Sequence, residues 1–137
     1  MLDGLIADLT PWMQCGGHWT VSGIPNFAPV ASMRLWALLN TPSPTEEEAR
    51  ETKEIQAILS RADVAAVPGG IPAMSQLILQ AVCDHLLTLC SEYALNKMHG
   101  YGIAPRRPLL PLKDVEGEQF IMALEEMLQL ERKLMEA

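Results

Sequence analysis

With 137 residues, 49% of them apolar and 20% charged, the chain has the composition of one folded domain with a modest core, not of a disordered segment. Its formal charge of −7 disfavours the phosphate attraction that nucleic-acid binders rely on, and Arg106-Arg107 is an isolated basic pair, so no nucleic-acid partner is expected. The apolar-rich stretch Leu77–Leu89 is interrupted by Gln80, Asp84 and His85 and is too short to span a bilayer, and the first residues carry no cationic region; a cytoplasmic protein with no membrane contact is expected.

In chain order, Leu2, Leu5, Ile6 and Leu9 follow a helical period and predict a short helix over 2–14, with a restart expected at Pro11 and an end at Cys15-Gly16-Gly17. His18 to Gly23 predicts a strand, because Trp19, Thr20 and Val21 favour a pleated surface. A single strand has no ladder partner, so its backbone groups must be paired elsewhere. Pro25 to Pro29 is a turn leading into a helix at about 29–40, whose apolar face is expected to comprise Val30, Met33, Trp36 and Leu39, with Leu35 and Leu38 at its edges.

Thr45 and Glu48 have the spacing of a capping box, and Glu46–Glu48 suit the start of a helix running to about Val67, buried through Ile55, Ile58, Leu59, Ala62 and Ala66. After Pro68-Gly69-Gly70 a long helical pattern covers about Pro72 to Met98, followed by a loop rich in Pro and Gly from Gly100 to Leu112. The last helix is predicted from about Asp114 to Met135, with Phe120, Ile121, Leu124, Met127, Leu128, Leu130 and Leu134 on a broad apolar face. The predicted class is mainly α with one or two short strands.

Two stretches carry a family resemblance. Gly16-Gly17-His18-Trp19-Thr20-Val21-Ser22-Gly23-Ile24-Pro25-Asn26-Phe27-Ala28-Pro29 resembles the last barrel strand of the dihydrodipicolinate synthase / N-acetylneuraminate lyase family, the class I pyruvate aldolases. Tyr93-Ala94-Leu95-Asn96-Lys97-Met98-His99-Gly100-Tyr101-Gly102, followed by Pro105-Arg106-Arg107-Pro108-Leu109, is similar to that family's late helix and the loop before its final helix. Trp19 stands where the family often has glycine, and Pro25 where alanine is common.

The resemblance implies the C-terminal part of a (β/α)8 TIM barrel plus its C-terminal helical extension. Residues 1–40 would be the last barrel elements (a helix, strand eight and helix eight) and residues 41–137 the extension. These enzymes hold a 2-oxo acid such as pyruvate as an imine on a lysine and make or break a carbon–carbon bond. No cofactor or metal is expected for this chain, and a barrel site lies at the C-terminal ends of the strands. Val21, Ser22, Gly23 and Asn26 would border the substrate, Val21 through its backbone carbonyl. Turn hydrogen bonding is the competing reading for Ser22 and Asn26. The family's lysine and its proton-relaying tyrosine lie on strands N-terminal to this region. Lys53, Lys97, Lys113 and Lys133 have acidic neighbours or exposed settings that keep an ammonium protonated, so no catalytic residue is assigned and a truncated, inactive member is expected. The alternative is a non-catalytic protein that pairs with full-length homologues, as a homo- or hetero-oligomer, through its helices.

Relative to the family, Ser75 to Glu92 is an insertion of 18 residues. A retained intron or an error of gene prediction is one reading, and a real helical extension is the other. Cys15, Cys83 and Cys90 have no disulfide-framework spacing and are expected to be buried free thiols, while Cys15 with His18, and Cys83 with His85 and Cys90, lack a full tetrahedral metal set. His99 before Gly100 is read as part of a helix C-terminus and not as a general base.

Overall fold

A computed structural model describes residues 6–18, 20–65, 92–101 and 114–136. The chain divides into two compact units, one formed by Met1–Asp63 with Glu125–Ala137 and the other by Val64–Leu124. The order is a 3-10 turn at Ile6–Asp8, α1 at Leu9–Gln14, a second 3-10 turn at Ile24–Asn26, α2 at Pro29–Leu39, α3 at Glu46–Ala65, α4 over residues 92–99, and α5 at Asp114–Met135. The mainly helical expectation holds for the described residues. The barrel, the domain division at residue 40 and the 75–92 insertion are readings of the family resemblance; residues 75–91, with Cys83, His85, Cys90 and Lys113, lie outside the described residues.

The strand predicted over 18–23 is a correction. Among the described residues no extended strand forms, and Thr20 carries only an isolated β-bridge. Trp19 lies outside the described residues. A lone segment with β propensity becomes a strand only when neighbouring backbones pair with it, so propensity alone does not carry the assignment.

The first helix also differs from its prediction. The restart falls at Leu9 and not at Pro11, which places Pro11 in the first turn of α1, where its missing N–H is not needed. The end of α1 explains both glycines. Gly16, at φ 82, donates its N–H to Met13 O at 3.0 Å, and Gly17 donates to Trp12 O at 3.0 Å, the two bonds of a Schellman cap. A Cβ on Gly17 would overlap the Trp12 indole, so the second glycine gives the ring its place.

The first unit is built on α3. Ile55, Leu59 and Ala62 are buried, as predicted; Ile58 is half-buried, and Ala66 lies outside the described residues. Ile6, Leu9, Leu35 and Met127 are other buried members of this unit. Gln56 joins the first turns to α3: its Nε2 donates to Ile6 O at 2.7 Å, and its Oε1 accepts Thr10 Oγ1–H at 2.6 Å and Thr10 N–H at 3.2 Å. The capping box forms as predicted, with Glu48 N–H donating to Thr45 Oγ1 at 3.2 Å and Thr45 N–H to Glu48 Oε2 at 2.8 Å.

The face of α2 is a second correction. Its buried residues are Ala31, Ser32, Leu35 and Leu38, whereas Val30 and Met33 are exposed and Trp36 and Leu39 half-buried. The helix is apolar nearly all round, so periodicity alone does not choose between its two faces.

In the second unit, α4 ends at Gly100, which sits at φ 69 and donates its N–H to Asn96 O at 2.9 Å. Ala94, Phe120 and Leu124 are buried there. Tyr93 Oη lies 3.1 Å from Asp114 Oδ1 and 3.2 Å from Glu118 Oε1, which ties α4 to the first turns of α5.

Candidate functional site

The four residues proposed from the sequence lie on one tight turn. Gly23 is the N-cap of the second 3-10 turn at φ −74 and ψ −23, and Pro25, with its fixed φ, stands inside that turn. Ile24 N–H donates to Ser22 Oγ at 3.2 Å, and Asn26 N–H donates to Gly23 O at 3.1 Å. Phe27 and Ala28 both donate their N–H groups to Ile24 O, at 2.9 and 3.0 Å. The hydroxyl oxygen of Ser22 thus accepts a hydrogen bond within its own turn. Val21 is exposed, Ser22 and Gly23 are half-buried, and Asn26 is exposed, while Ile24 and Phe27 pin the turn to the core.

This turn feeds directly into α2. Pro29 opens the helix and has no N–H to satisfy, Val30 N–H donates to Glu131 Oε1 at 2.9 Å, and Ala31 N–H donates to Glu131 Oε2 at 2.7 Å. Glu131 is buried, and both of its oxygens serve a helix start. A second buried carboxylate among the described residues of this unit, Asp63, accepts Ala7 N–H at 3.1 Å in the first 3-10 turn. Sequence reasoning missed Glu131 because its partners lie 100 and 101 residues away; the available signal was an acidic residue one helical step past the buried Leu124 and Met127.

The described lysines, Lys53, Lys97 and Lys133, all lie at the surface. Lys97 Nζ lies 3.6 Å from Glu118 Oε1 and 5.5 Å from the Tyr93 ring centroid. The Tyr93 oxygen and then Glu118 push its ammonium above the usual lysine range, opposite to what a nucleophilic amine near neutral pH needs. Partial desolvation, and then the hydrogen bonds to Asp114 and Glu118, hold the Tyr93 phenol above its ordinary range.

Cys15 is a free thiol and is exposed, which corrects the expectation that it is buried. Among the described residues no three His, Cys, Asp or Glu side chains are placed to share a metal ion. His99 stacks obliquely on Tyr101, with ring centroids 5.7 Å apart, beside the Gly100 cap. No helix among the described residues is long and apolar enough to cross a membrane.

The chain is similar to a protein of Emericella nidulans named as a probable mitochondrial 4-hydroxy-2-oxoglutarate aldolase, at 29% identity over 119 residues. That alignment covers 87% of this chain and 31% of the relative, so the chain spans about a third of the relative's length. The likeness supports a relationship to an aldolase and does not single out a member of the family. The relative's name places it in the mitochondrion, which lends nothing to a cytoplasmic location for this chain. No protein-family model matches the chain, and no solved structure matches it.

Proposed function

We propose that this chain is the C-terminal portion of a Schiff-base-forming 2-oxo acid aldolase, and that its Val21–Asn26 turn borders the substrate, after a segment that would pair as barrel strand eight only with the rest of the barrel beside it. The observation that carries the reading is the likeness to an aldolase over 119 residues, which runs through most of the chain. In this reading α2 is barrel helix eight, and residues 41–137 are the helical extension that follows the barrel. The Val21 carbonyl and the Ser22–Gly23 backbone face a small anionic 2-oxo acid, such as pyruvate. The lysine that forms the imine belongs to the remaining part of the enzyme. The chain alone therefore orients substrate and supplies no nucleophile, and it is inactive by itself.

The experiment has two arms on the 137-residue chain. Pyruvate with cyanoborohydride is expected to leave its intact mass unchanged; an adduct on any of Lys53, Lys97, Lys113 or Lys133 would refute the assignment of the amine to another part of the enzyme. Titration with millimolar pyruvate is expected to move the amide resonances of Val21, Ser22, Gly23 and Asn26. If those four signals stay fixed while pyruvate is raised to saturation of any other response, the turn is not the substrate site.

A further inference from the structure

Glu131 stands on the last turns of α5, yet its carboxylate serves the start of α2, 100 residues earlier in the chain. It is only 6% exposed. A carboxylate at the positive end of a helix dipole, holding two N–H groups at once, makes short charge-assisted bonds. The first turn of α2 is fully accounted for: Pro29 has no donor, Val30 and Ala31 donate to Glu131, and Ser32 donates to Ala28 O at 3.1 Å.

The same backbone continues into the turn. Ala28 and Phe27 donate to Ile24 O, Asn26 donates to Gly23 O, and Ile24 donates to Ser22 Oγ. A connected series of hydrogen bonds thus runs from the carboxylate on α5 to Ser22, next to Val21. Packing of Ala31, Leu35 and Leu38 would keep α2 in the core by itself. Packing does not fix how far the helix start advances toward the turn, whereas two directional bonds to one rigid carboxylate do.

We infer that Glu131 is a positioning residue for the 2-oxo acid site, acting through the start of α2 to set the Val21–Asn26 turn. The inference rests on the proposed function for its substrate and on the hydrogen-bond series for its mechanism. Glu131→Gln keeps the shape but replaces one acceptor oxygen with an NH2 group that faces an N–H.

The test is amide hydrogen exchange and pyruvate titration of the full chain, as wild type, Glu131→Gln and Glu131→Ala, the last with and without formate. In Glu131→Gln, exchange protection at Ile24, Asn26, Phe27 and Ala28 is expected to fall about tenfold, the loss that goes with one charge-assisted bond. About tenfold more pyruvate is expected for the same shifts at Val21–Gly23, while α3 amides keep their protection. Formate, filling the gap in Glu131→Ala, is expected to restore both readouts. Loss of protection confined to Val30 and Ala31, with a wild-type pyruvate response, would overturn the positioning role and leave a simple helix cap. Unfolding of both variants that formate does not reverse would overturn it as well, in favour of a purely structural role. A wild-type chain that ignores pyruvate would sink the substrate reading alone, because the exchange arm still decides whether Glu131 sets the turn.

Discussion

The Tyr93 ring occupies the space where a side chain on Gly117 would begin: a Cβ there would come within 2.5 Å of Tyr93 Cδ1. Glycine inside a helix such as α5 normally weakens it by about 1 kcal/mol relative to alanine. Here it lets α4 approach closely enough for the Tyr93 hydroxyl to reach Asp114 and Glu118. Gly117→Ala is therefore expected to destabilise the protein by about 1–3 kcal/mol, as overpacking does, against the gain that helix propensity alone would give. Urea unfolding measures it. The double variant Gly117→Ala/Tyr93→Ala should recover stability relative to Gly117→Ala, and a more stable Gly117→Ala would show that the ring does not need the gap.

The two faces of α2 make opposite predictions for two apolar residues two positions apart. Leu35 is fully buried and Met33 is 67% exposed. Leu35→Ala is expected to cost about 2–5 kcal/mol, as large-to-small changes in cores do. Met33→Lys should lie within about 0.5 kcal/mol of wild type. Comparable losses in the two variants, read by thermal melting, would mean that Met33 is covered in solution.

Gln56 both donates to Ile6 O and accepts from Thr10. Glu at this position is nearly the same shape, but its carboxylate cannot donate, which leaves it facing the Ile6 carbonyl. Gln56→Glu is expected to lower stability at neutral pH by about 1–3 kcal/mol, the cost of an unsatisfied polar group. Because the fold favours the protonated acid, which can donate again, the penalty should shrink as pH falls through the carboxylate range. Melting curves of the variant and wild type across pH check this, and a pH-independent difference would contradict it.

The capping box gives a prediction about acid. The Thr45 N–H and then the Thr45 hydroxyl hold the Glu48 carboxyl below its ordinary range, and the Arg34 guanidinium does the same for Glu51, which it contacts at 2.6 Å. Groups lowered in the folded state contribute stability that is present above their unfolded values and is lost as pH falls through the lowered ones. Helix α3 should therefore weaken on the acid side and stay unaffected toward alkaline pH. Thr45→Ala should cost about 1 kcal/mol at neutral pH; the part carried by the Thr45 hydroxyl on the Glu48 carboxylate should fade in acid, while the part carried by the Glu48 N–H bond to that hydroxyl should persist. Helicity against pH for both proteins measures it.

Much of the helical frame was legible in the sequence because it depends on neighbours in the chain. The Thr45–Glu48 box, the break at Gly16-Gly17 and the limits of α5 at Asp114 and Met135 all follow from short-range chemistry. The face of α2 was misread because Val30, Met33 and Trp36 fit a helical period as Ala31, Leu35 and Leu38 do, and only the rest of the fold selects one set. The expected strand failed for a related reason, since pairing is a property of two backbones and Thr20 finds only a single bridge. The turn itself was marked by Pro25 and Pro29, whereas its proposed place beside a substrate was readable only through likeness to a family. Glu131, which holds the helix beyond that turn, left only the mark of an acid in line with the buried Leu124 and Met127, and nothing near it in the chain names its partners.

Three of the helix starts in the first unit differ in where their caps come from, and this orders the events by which the chain folds. Helix α3 carries its own cap within three residues, so it gains that stabilisation as soon as it forms. The first 3-10 turn waits for Asp63, 56 residues away, and α2 waits for Glu131, 100 residues away. Closing chain segments of that length is the slow part of reaching a native topology. Helix α3 should consequently be structured in the folding transition state, and the start of α2 should be among the last parts to set. The turn that bears the proposed substrate contacts is thus completed only after the C-terminal helix has docked.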